Sequence, residues 1–163
     1  MVHLVPMTES EFQTYRARLI QEYAQEHVQA GNWHPSDALQ RAEKEFHQLL
    51  PAGLATQNHY LFSIADKTTG SKVGVVWFAV DHARPAPAAF IYDFMIHPEF
   101  RRRGYGFQAL QALEEKASEL GIHKISLHVF GHNAAARALY EKAGYAITDL
   151  HMSKQIRPAI HGR

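Results

Sequence analysis

Apolar and polar positions along the chain follow two rhythms, one close to every second residue and one close to every third or fourth. His3 to Pro6 is short, extended and apolar, and reads as a first strand. Phe12, Tyr15, Leu19 and Tyr23 recur at helical spacing, so residues 9 to about 29 are expected to form one amphipathic helix. Ahead of them Thr8-Glu9-Ser10-Glu11 has the pattern of a capping box, in which Thr8 and Glu11 satisfy free amides at a helix start, and Gly31-Asn32 ends the helix. Pro35-Ser36-Asp37 opens a second helix with Leu39, Ala42, Phe46 and Leu49 on its apolar face, and Pro51 stops it. Tyr60 to Ala65 and Val73 to Val80 are β-rich runs separated by Thr68-Thr69-Gly70-Ser71, a hairpin signal. A Pro-containing loop from His82 to Ala88 leads into a strand from Phe90 to His97. Gly104 to Leu120 is helical, with Phe107, Leu110, Leu113, Ala117 and Leu120 on one face and Gly121 as its breaker. Lys124 to Phe130 reads as a strand, Asn133 to Ala143 as a helix and Tyr145 to Lys154 as a last strand.

The predicted order is therefore β-α-α-β-β-β-α-β-α-β. The strand–helix–strand stretch from 90 to 130 implies one parallel pair inside a mixed sheet, which makes this an α/β or α+β layered fold. No repeat, low-complexity tract or linker divides the chain, so residues 1–156 read as a single domain and 157–163 as a frayed tail.

Composition narrows the function classes. Seventeen basic against 16 acidic residues give a formal net charge of +1, which supplies no electrostatic reason to expect nucleic acid or an anionic membrane as partner. Cysteine is absent, which excludes disulfides, thiolate metal sites and a cysteine nucleophile. The N-terminus lacks the basic and apolar regions of a signal peptide, and no apolar run is long enough to span a bilayer, so a cytoplasmic setting is expected. Twelve histidines raise the question of a metal. His128 and His132 are four apart, but on a strand and loop rather than one helical face, and no His-Glu-x-x-His pattern occurs, so no metal site is expected.

Chemistry is concentrated after the strand at 90–97. There the chain runs through His97-Pro98-Glu99-Phe100 into Arg101-Arg102-Arg103-Gly104-Tyr105-Gly106 and then into a helix. Unpartnered backbone N–H groups at a helix start, the helix dipole, two glycines and three arginines can together cradle a pyrophosphate. A triple arginine alone is more often a solvated or nucleic-acid-facing patch. The loop has neither the Gly-Lys-Ser/Thr ending of a nucleotide P-loop nor the three-glycine dinucleotide spacing.

One strand and one helix further on stands Asn133-Ala134-Ala135-Ala136-Arg137-Ala138-Leu139-Tyr140-Glu141-Lys142-Ala143-Gly144-Tyr145. The two motifs in this order, separated by Phe107 to His132, resemble the GNAT superfamily of acetyl-CoA-dependent N-acetyltransferases over residues 73 to 152. The resemblance implies a mostly antiparallel sheet with helices on both faces and one splayed parallel pair. It also implies acetyl-CoA as cosubstrate, an amine acceptor and frequent homodimers. Residue by residue, Phe94, Met95 and Ile96 stand where the family's strand exchanges backbone hydrogen bonds with the pantetheine arm. Arg102, Arg103, Gly104, Tyr105, Gly106 and Phe107 stand where amides hold the pyrophosphate, with Arg101 just before them. Asn133 matches the asparagine that contacts the pantetheine, and Lys142 closes the same cofactor-side helix. Tyr140 matches the tyrosine that protonates the departing thiolate; as a residue it could equally be a packed position on an amphipathic helix. The family often has glycine where Arg102 stands, a departure that leaves amide binding intact unless the position requires a positive φ.

The general base has two candidates. In one branch of the family a glutamate on the strand before Asn133 serves, and the matching position is His128, whose imidazole suits the work near neutral pH. Asp93 is the competitor, placed by strict alternation on the face of Ile91 and Met95, opposite Phe90, Tyr92, Phe94 and Ile96. Strand amides near Met95 are expected to hold the oxyanion. Glu22, Glu26 and Asp37 are available to attract a cationic acceptor. A catalytically silent acyl-CoA-binding module is the alternative from another class, and the presence of both Tyr140 and a base candidate argues against it.

Overall fold

The computed structural model describes residues 1–83 and 85–159. Arg84, in the loop expected between His82 and Ala88, and residues 160–163 of the expected tail lie outside the described residues. Five strands form one sheet in the order β1 (Val2–Pro6), β2 (His59–Asp66), β3 (Lys72–Asp81), β4 (Ala88–Ile96) and β5 (Lys124–Leu127). The first three pairings are antiparallel and β4–β5 is parallel, so the fold is a mixed α/β, mostly antiparallel one.

Helices α1 (Glu9–Gln29) and α2 (Ala38–Leu49) cover one face of the sheet; α3 (Tyr105–Glu119) and α4 (Ala134–Lys142) pack on the other. On the α3 side Phe62, Ile64, Val76 and Phe78 meet Leu110 and Leu113, and on the α1 side Leu61, Val75 and Trp77 meet Phe12, Tyr15, Ala42 and Phe46. The expected capping box is formed: the Glu11 N–H donates to Thr8 Oγ1 at 3.2 Å and the Thr8 N–H to Glu11 Oε2 at 2.8 Å.

The two N-terminal helices are rotated from the faces their apolar spacing suggested. α2 presents Ala38, Ala42 and Phe46 to the core, leaving Leu39 and Leu49 exposed. α1 buries Ile20 and Ala24 and turns Tyr23 outward, where its hydroxyl donates to Glu45 Oε2 at 2.6 Å. The small side chains let the helices approach closely, and the larger residues move to the rim.

Two differences concern the C-terminal half. β5 ends at Leu127 rather than Phe130, and the expected strand from Tyr145 to Lys154 is not formed. β5 is an edge strand with ladder hydrogen bonds on one side only, so nothing holds residues 128–130 in register once β4 diverges.

Candidate active site

The site is set by the place where β4 and β5 part. Their parallel pairing covers only Ala88–Ile91 against Lys124–Leu127, and beyond it the two chains splay. Phe94 to Ile96 therefore keep β3 on one side and open space on the other. The direction of each backbone group follows from the ladder's alternation. The His97 N–H donates to Val73 O at 2.9 Å, which commits Met95, two residues back, to β3 as well. Phe94 and Ile96 direct their N–H and C=O groups into the splay.

A bulge decides which way Asp93 faces. Trp77 is opposite Asp93 and Phe78 is opposite Ile91, so Tyr92 is an extra residue and strict alternation fails there. Ile91 and Phe94 consequently join the α3-side core. Asp93 does not share a face with Ile91, as alternation suggested; it lies with Trp77 and Met95 toward α1.

α1 answers it with three residues on one face, Tyr15, Arg18 and Glu22. The buried Tyr15 hydroxyl donates to Asp93 Oδ2 at 2.8 Å. Arg18 lies with its guanidinium 5.6 Å from the Tyr15 ring centroid and its Nε 3.6 Å from Glu22 Oε1; that Nε is buried without a hydrogen-bond partner. Burial raises the Asp93 pKa above the usual carboxylate value, with the Tyr15 hydrogen bond and the Arg18 charge opposing it. Burial and the Arg18 charge lower His97 at the end of the strand.

Tyr140 reaches the same cleft from α4. Its ring is 6.3 Å from that of Phe94 and 5.7 Å from that of Tyr145. Burial raises its pKa, and the negative charge of Asp93 raises it further, so the two groups share one electrostatic environment. His128 does not join them. It lies exposed past the end of β5, edge-on to Phe130 at 5.1 Å.

The loop before α3 supplies donors. Among the described residues, none of the backbone N–H groups from Arg102 to Phe107 has an acceptor. Arg102 at φ +65° and Gly104 at φ +80° turn the chain so that these amides converge at the helix start, which carries no side-chain cap. The position occupied by Arg102 thus does have a positive φ, the case in which its departure from glycine matters. The arginine side chains are used differently from one another. Arg101 Nε donates to Ile96 O at 2.9 Å and braces the loop against β4, and Arg103 lies 5.9 Å from the Phe100 ring centroid. The Tyr105 hydroxyl is turned away to Asp66 Oδ2 at 2.7 Å, tying α3 to the β2–β3 turn. Gly106 serves packing: a Cβ there would stand 2.9 Å from Leu139 Cδ2, so the missing side chain lets α4 approach α3. Asn133 is the α4 N-cap, its side-chain oxygen accepting from the Ala136 N–H at 3.2 Å, and Lys142 Nζ lies 4.8 Å from the Phe107 ring centroid.

Tyr15, Arg18 and His97 were missed as site residues in the sequence. Tyr15 carried only the signal of an apolar helical position, and its hydroxyl gains meaning once Asp93 is known to face α1. Glu26 acts on Tyr23, one turn beyond Glu22 on α1, and Asp37 pairs with Arg41 at 3.0 Å. Among the described residues no group of His, Asp or Glu could hold a metal ion, and no helix is long and apolar enough to cross a membrane.

A loop of unpaired amides beside a half-open strand, with a carboxylate and a phenol in the cleft between, makes up the candidate site of a transferase. Residues 16–145 match the model of the Acetyltransferase (GNAT) family, and the chain belongs to that family. It is 43% identical to the uncharacterized N-acetyltransferase YycN of Bacillus subtilis, over 95% of this chain and 99% of that one. The crystal structure of YycN superposes with a TM-score of 0.86 over 97% of this chain and all of that chain. Another uncharacterized N-acetyltransferase of Bacillus subtilis, YdgE, is 38% identical over 94% of this chain and 97% of its own. AAC(6')-Iy, solved with a bisubstrate analogue, CoA-S-monomethyl-acetylneamine, shares the fold at a TM-score of 0.61 and 16% identity, over 97% and 99% of the two chains. The protein is an acyltransferase of the GNAT type.

Proposed function

We propose that the chain transfers an acetyl group from acetyl-CoA to a primary amine by direct attack, with Tyr140 as general acid and Asp93 as general base. The observation that carries this reading is geometric: the bulge turns Asp93 toward α1, the next residue Phe94 has its ring 6.3 Å from that of Tyr140, and burial and the Asp93 charge both raise the Tyr140 pKa. The open amides from Arg102 to Phe107 fit a pyrophosphate, and the splay-facing Phe94 C=O and Ile96 N–H fit an amide-bearing arm laid alongside them, the Ile96 C=O being taken by Arg101 Nε. A bisubstrate analogue bound by a protein of the same fold supports placing thioester and amine together.

The electron bookkeeping is simple. The amine lone pair bonds to the thioester carbonyl carbon, and the oxygen gathers charge that a Phe94 or Ile96 N–H in the splay can hold. As nitrogen becomes positive its proton passes to Asp93, directly or through one water. The C–S bond then breaks, and the thiolate takes the Tyr140 proton. Protonation of Asp93 removes a charge that holds the Tyr140 pKa up, so uptake of the first proton eases release of the second. A phenol's ordinary pKa of about 10 already lies above a thiol's of about 8.5, and burial of Tyr140 makes that last transfer more uphill, so it depends on position and on neutralisation of Asp93. Tyr15 holds Asp93 through Oδ2, and Arg18 and Glu22 stand beside the pair on α1.

The test is release of free CoA thiol across a panel of primary amines, repeated with Tyr140→Phe. We expect turnover by the parent chain and a kcat lowered about 10²–10⁴-fold in the variant, with acetyl-CoA affinity nearly unchanged. Normal turnover by Tyr140→Phe removes the acid from this scheme. Acetyl-CoA binding with no turnover on any amine replaces the scheme with a silent acyl-CoA-binding module.

A further inference from the structure

Two neighbours on β4 face the same way. Successive residues of a regular strand point to opposite faces, and the bulge at Tyr92 suspends that rule. Asp93 is opposite Trp77 and bonds to Tyr15 on α1, while the Tyr92 ring lies on the Trp77 ring, with centroids 4.8 Å apart and planes 19° from parallel. The carboxylate and the ring that precedes it in the chain therefore stand side by side on the α1 face of the sheet. Trp77 beneath them is 3% exposed and held by two partners: the Phe46 ring lies 5.6 Å away, and the indole Nε1–H donates to His59 Nδ1 at 3.0 Å. An indole nitrogen only donates, so that bond selects the neutral tautomer of His59 with its hydrogen on Nε2, and burial lowers the His59 pKa. Tyr92 itself is 42% exposed and Phe90 39%, their rings meeting at 77° with centroids 5.2 Å apart. They border a hollow of about 260 Å³ that reaches Lys124 and Ser126 on β5. A buried, hydrogen-bonded indole under a half-exposed ring is a rigid platform. Core packing explains Trp77, but not the two exposed rings beside it.

We propose that Tyr92 and Phe90 form the acceptor subsite of this cleft, and that the acceptor is an aromatic ring carrying its primary amine on a short arm. The inference rests on the acetyl-transfer reading given above and adds the class of the acceptor to it. The attacking nitrogen gives up its proton at Asp93, so what rests on Tyr92 is the body behind the nitrogen rather than an ammonium. Neighbouring α-carbons in a strand stand about 3.8 Å apart, and a short arm is enough to join a ring on Tyr92 to an amine at Asp93. The hollow beside the rings, at about 260 Å³, is small against the roughly 300–1,000 Å³ of most small-molecule sites, which suits a single ring with its substituents. Tyr92 and Phe90, nearly perpendicular to each other, offer such a ring one stacked and one edge-on contact, the two arrangements aromatic pairs favour. A planar ring also gives up little freedom on a platform that is already ordered, whereas an alkyl chain must surrender several rotamers to lie flat on it.

The test compares acetylation of phenethylamine, cyclohexylethylamine and butylamine. In the parent chain kcat/KM should be highest for the aromatic amine, about tenfold or more above butylamine and about threefold or more above the saturated ring, which matches it in bulk. Tyr92→Phe should keep that order and Tyr92→Ala should abolish it. Where Tyr92→Ala does not fold, Tyr92→Leu takes its place, since it keeps apolar bulk without a ring face. Equal or better use of either non-aromatic amine by the parent overturns the proposal, as does an aromatic preference that survives the loss of the Tyr92 ring. Failure of every amine to turn over sinks the acetyl-transfer reading instead, and the subsite is then read by binding. The chain has two tryptophans, Trp33 and Trp77, so in Trp33→Phe the emission is that of Trp77 alone. With CoA present, phenethylamine should shift that emission saturably and butylamine should not; no shift with phenethylamine overturns the subsite itself.

Discussion

At the scale of single residues, the sequence names the chemistry and the structure supplies the partners. As candidates, Tyr140 and Asp93 are both legible from type and position, but the preference for Asp93 over His128 in the proposed scheme is not. It follows from the Tyr92 bulge, which turns the carboxylate toward α1, and from the exposure of His128 beyond a short strand. The bond from Tyr15 gives a pH test with a definite sign. In the proposed scheme Asp93 acts as a carboxylate, and its pKa is raised, so activity should fall as pH drops through a value above the usual carboxylate range near 3.9. The Tyr15 hydroxyl lowers that pKa; in Tyr15→Phe the acidic limb of kcat/KM should therefore move to higher pH, and in Asp93→Asn it should vanish. A limb that stays in place in both variants removes Asp93 as base. Arg102 offers a second test. An arginine at φ +65° adopts a conformation that costs about 1–2 kcal/mol in a residue with a side chain. Arg102→Gly should hold or raise stability, by up to about 1 kcal/mol after the extra freedom of the unfolded chain is counted, and should still bind acetyl-CoA. A large loss of affinity would show that the guanidinium, rather than the amides, holds the phosphates.

Among the elements, strands and helices with strong local signals appear where their patterns put them. The capping box starts α1 at Glu9, and Gly121 follows the end of α3. What periodicity could not fix is rotation: α2 turns small residues inward because α1 crosses close by, information that lies in the neighbouring helix rather than in α2 itself. The segment after α4 departs from its strand pattern for a related reason. Residues 145–154 have strand character, but a strand exists only when another edge pairs with it. Gly106 shows an element-level role behind a motif residue. Its sequence context suggests ligand approach, whereas the structure gives it the α3–α4 contact. Gly106→Val should push Leu139 away, lower stability by about 1–3 kcal/mol and weaken acetyl-CoA binding together, readable as a lower melting temperature and a smaller shift on adding cofactor. Gly104→Val, by contrast, strains a φ of +80° where the nearest atom to a Cβ is Gln108 Nε2 at 3.7 Å, so its effect should fall on the loop. Equal melting temperatures for Gly106→Val and the parent would show that the helix contact is adaptable.

Across the whole molecule, the sheet divides into a four-stranded antiparallel body and a β5–α4 unit attached to it by four residue pairs. Nothing in the sequence reports that division, because each strand is apolar along its length and the parting of β4 from β5 is a property of the pair. Its consequence can be followed with deuterium. The Met95 amide is bonded to β3 and should exchange only when that ladder opens, whatever is bound. The Phe94 and Ile96 amides face a gap that solvent can fill, and in the free protein they should exchange orders of magnitude faster than Met95. A cofactor lying in the gap should slow these two and leave Met95 nearly unchanged. A single stretch of backbone would then carry alternate fast and slow clocks, and acetyl-CoA would stop every second one.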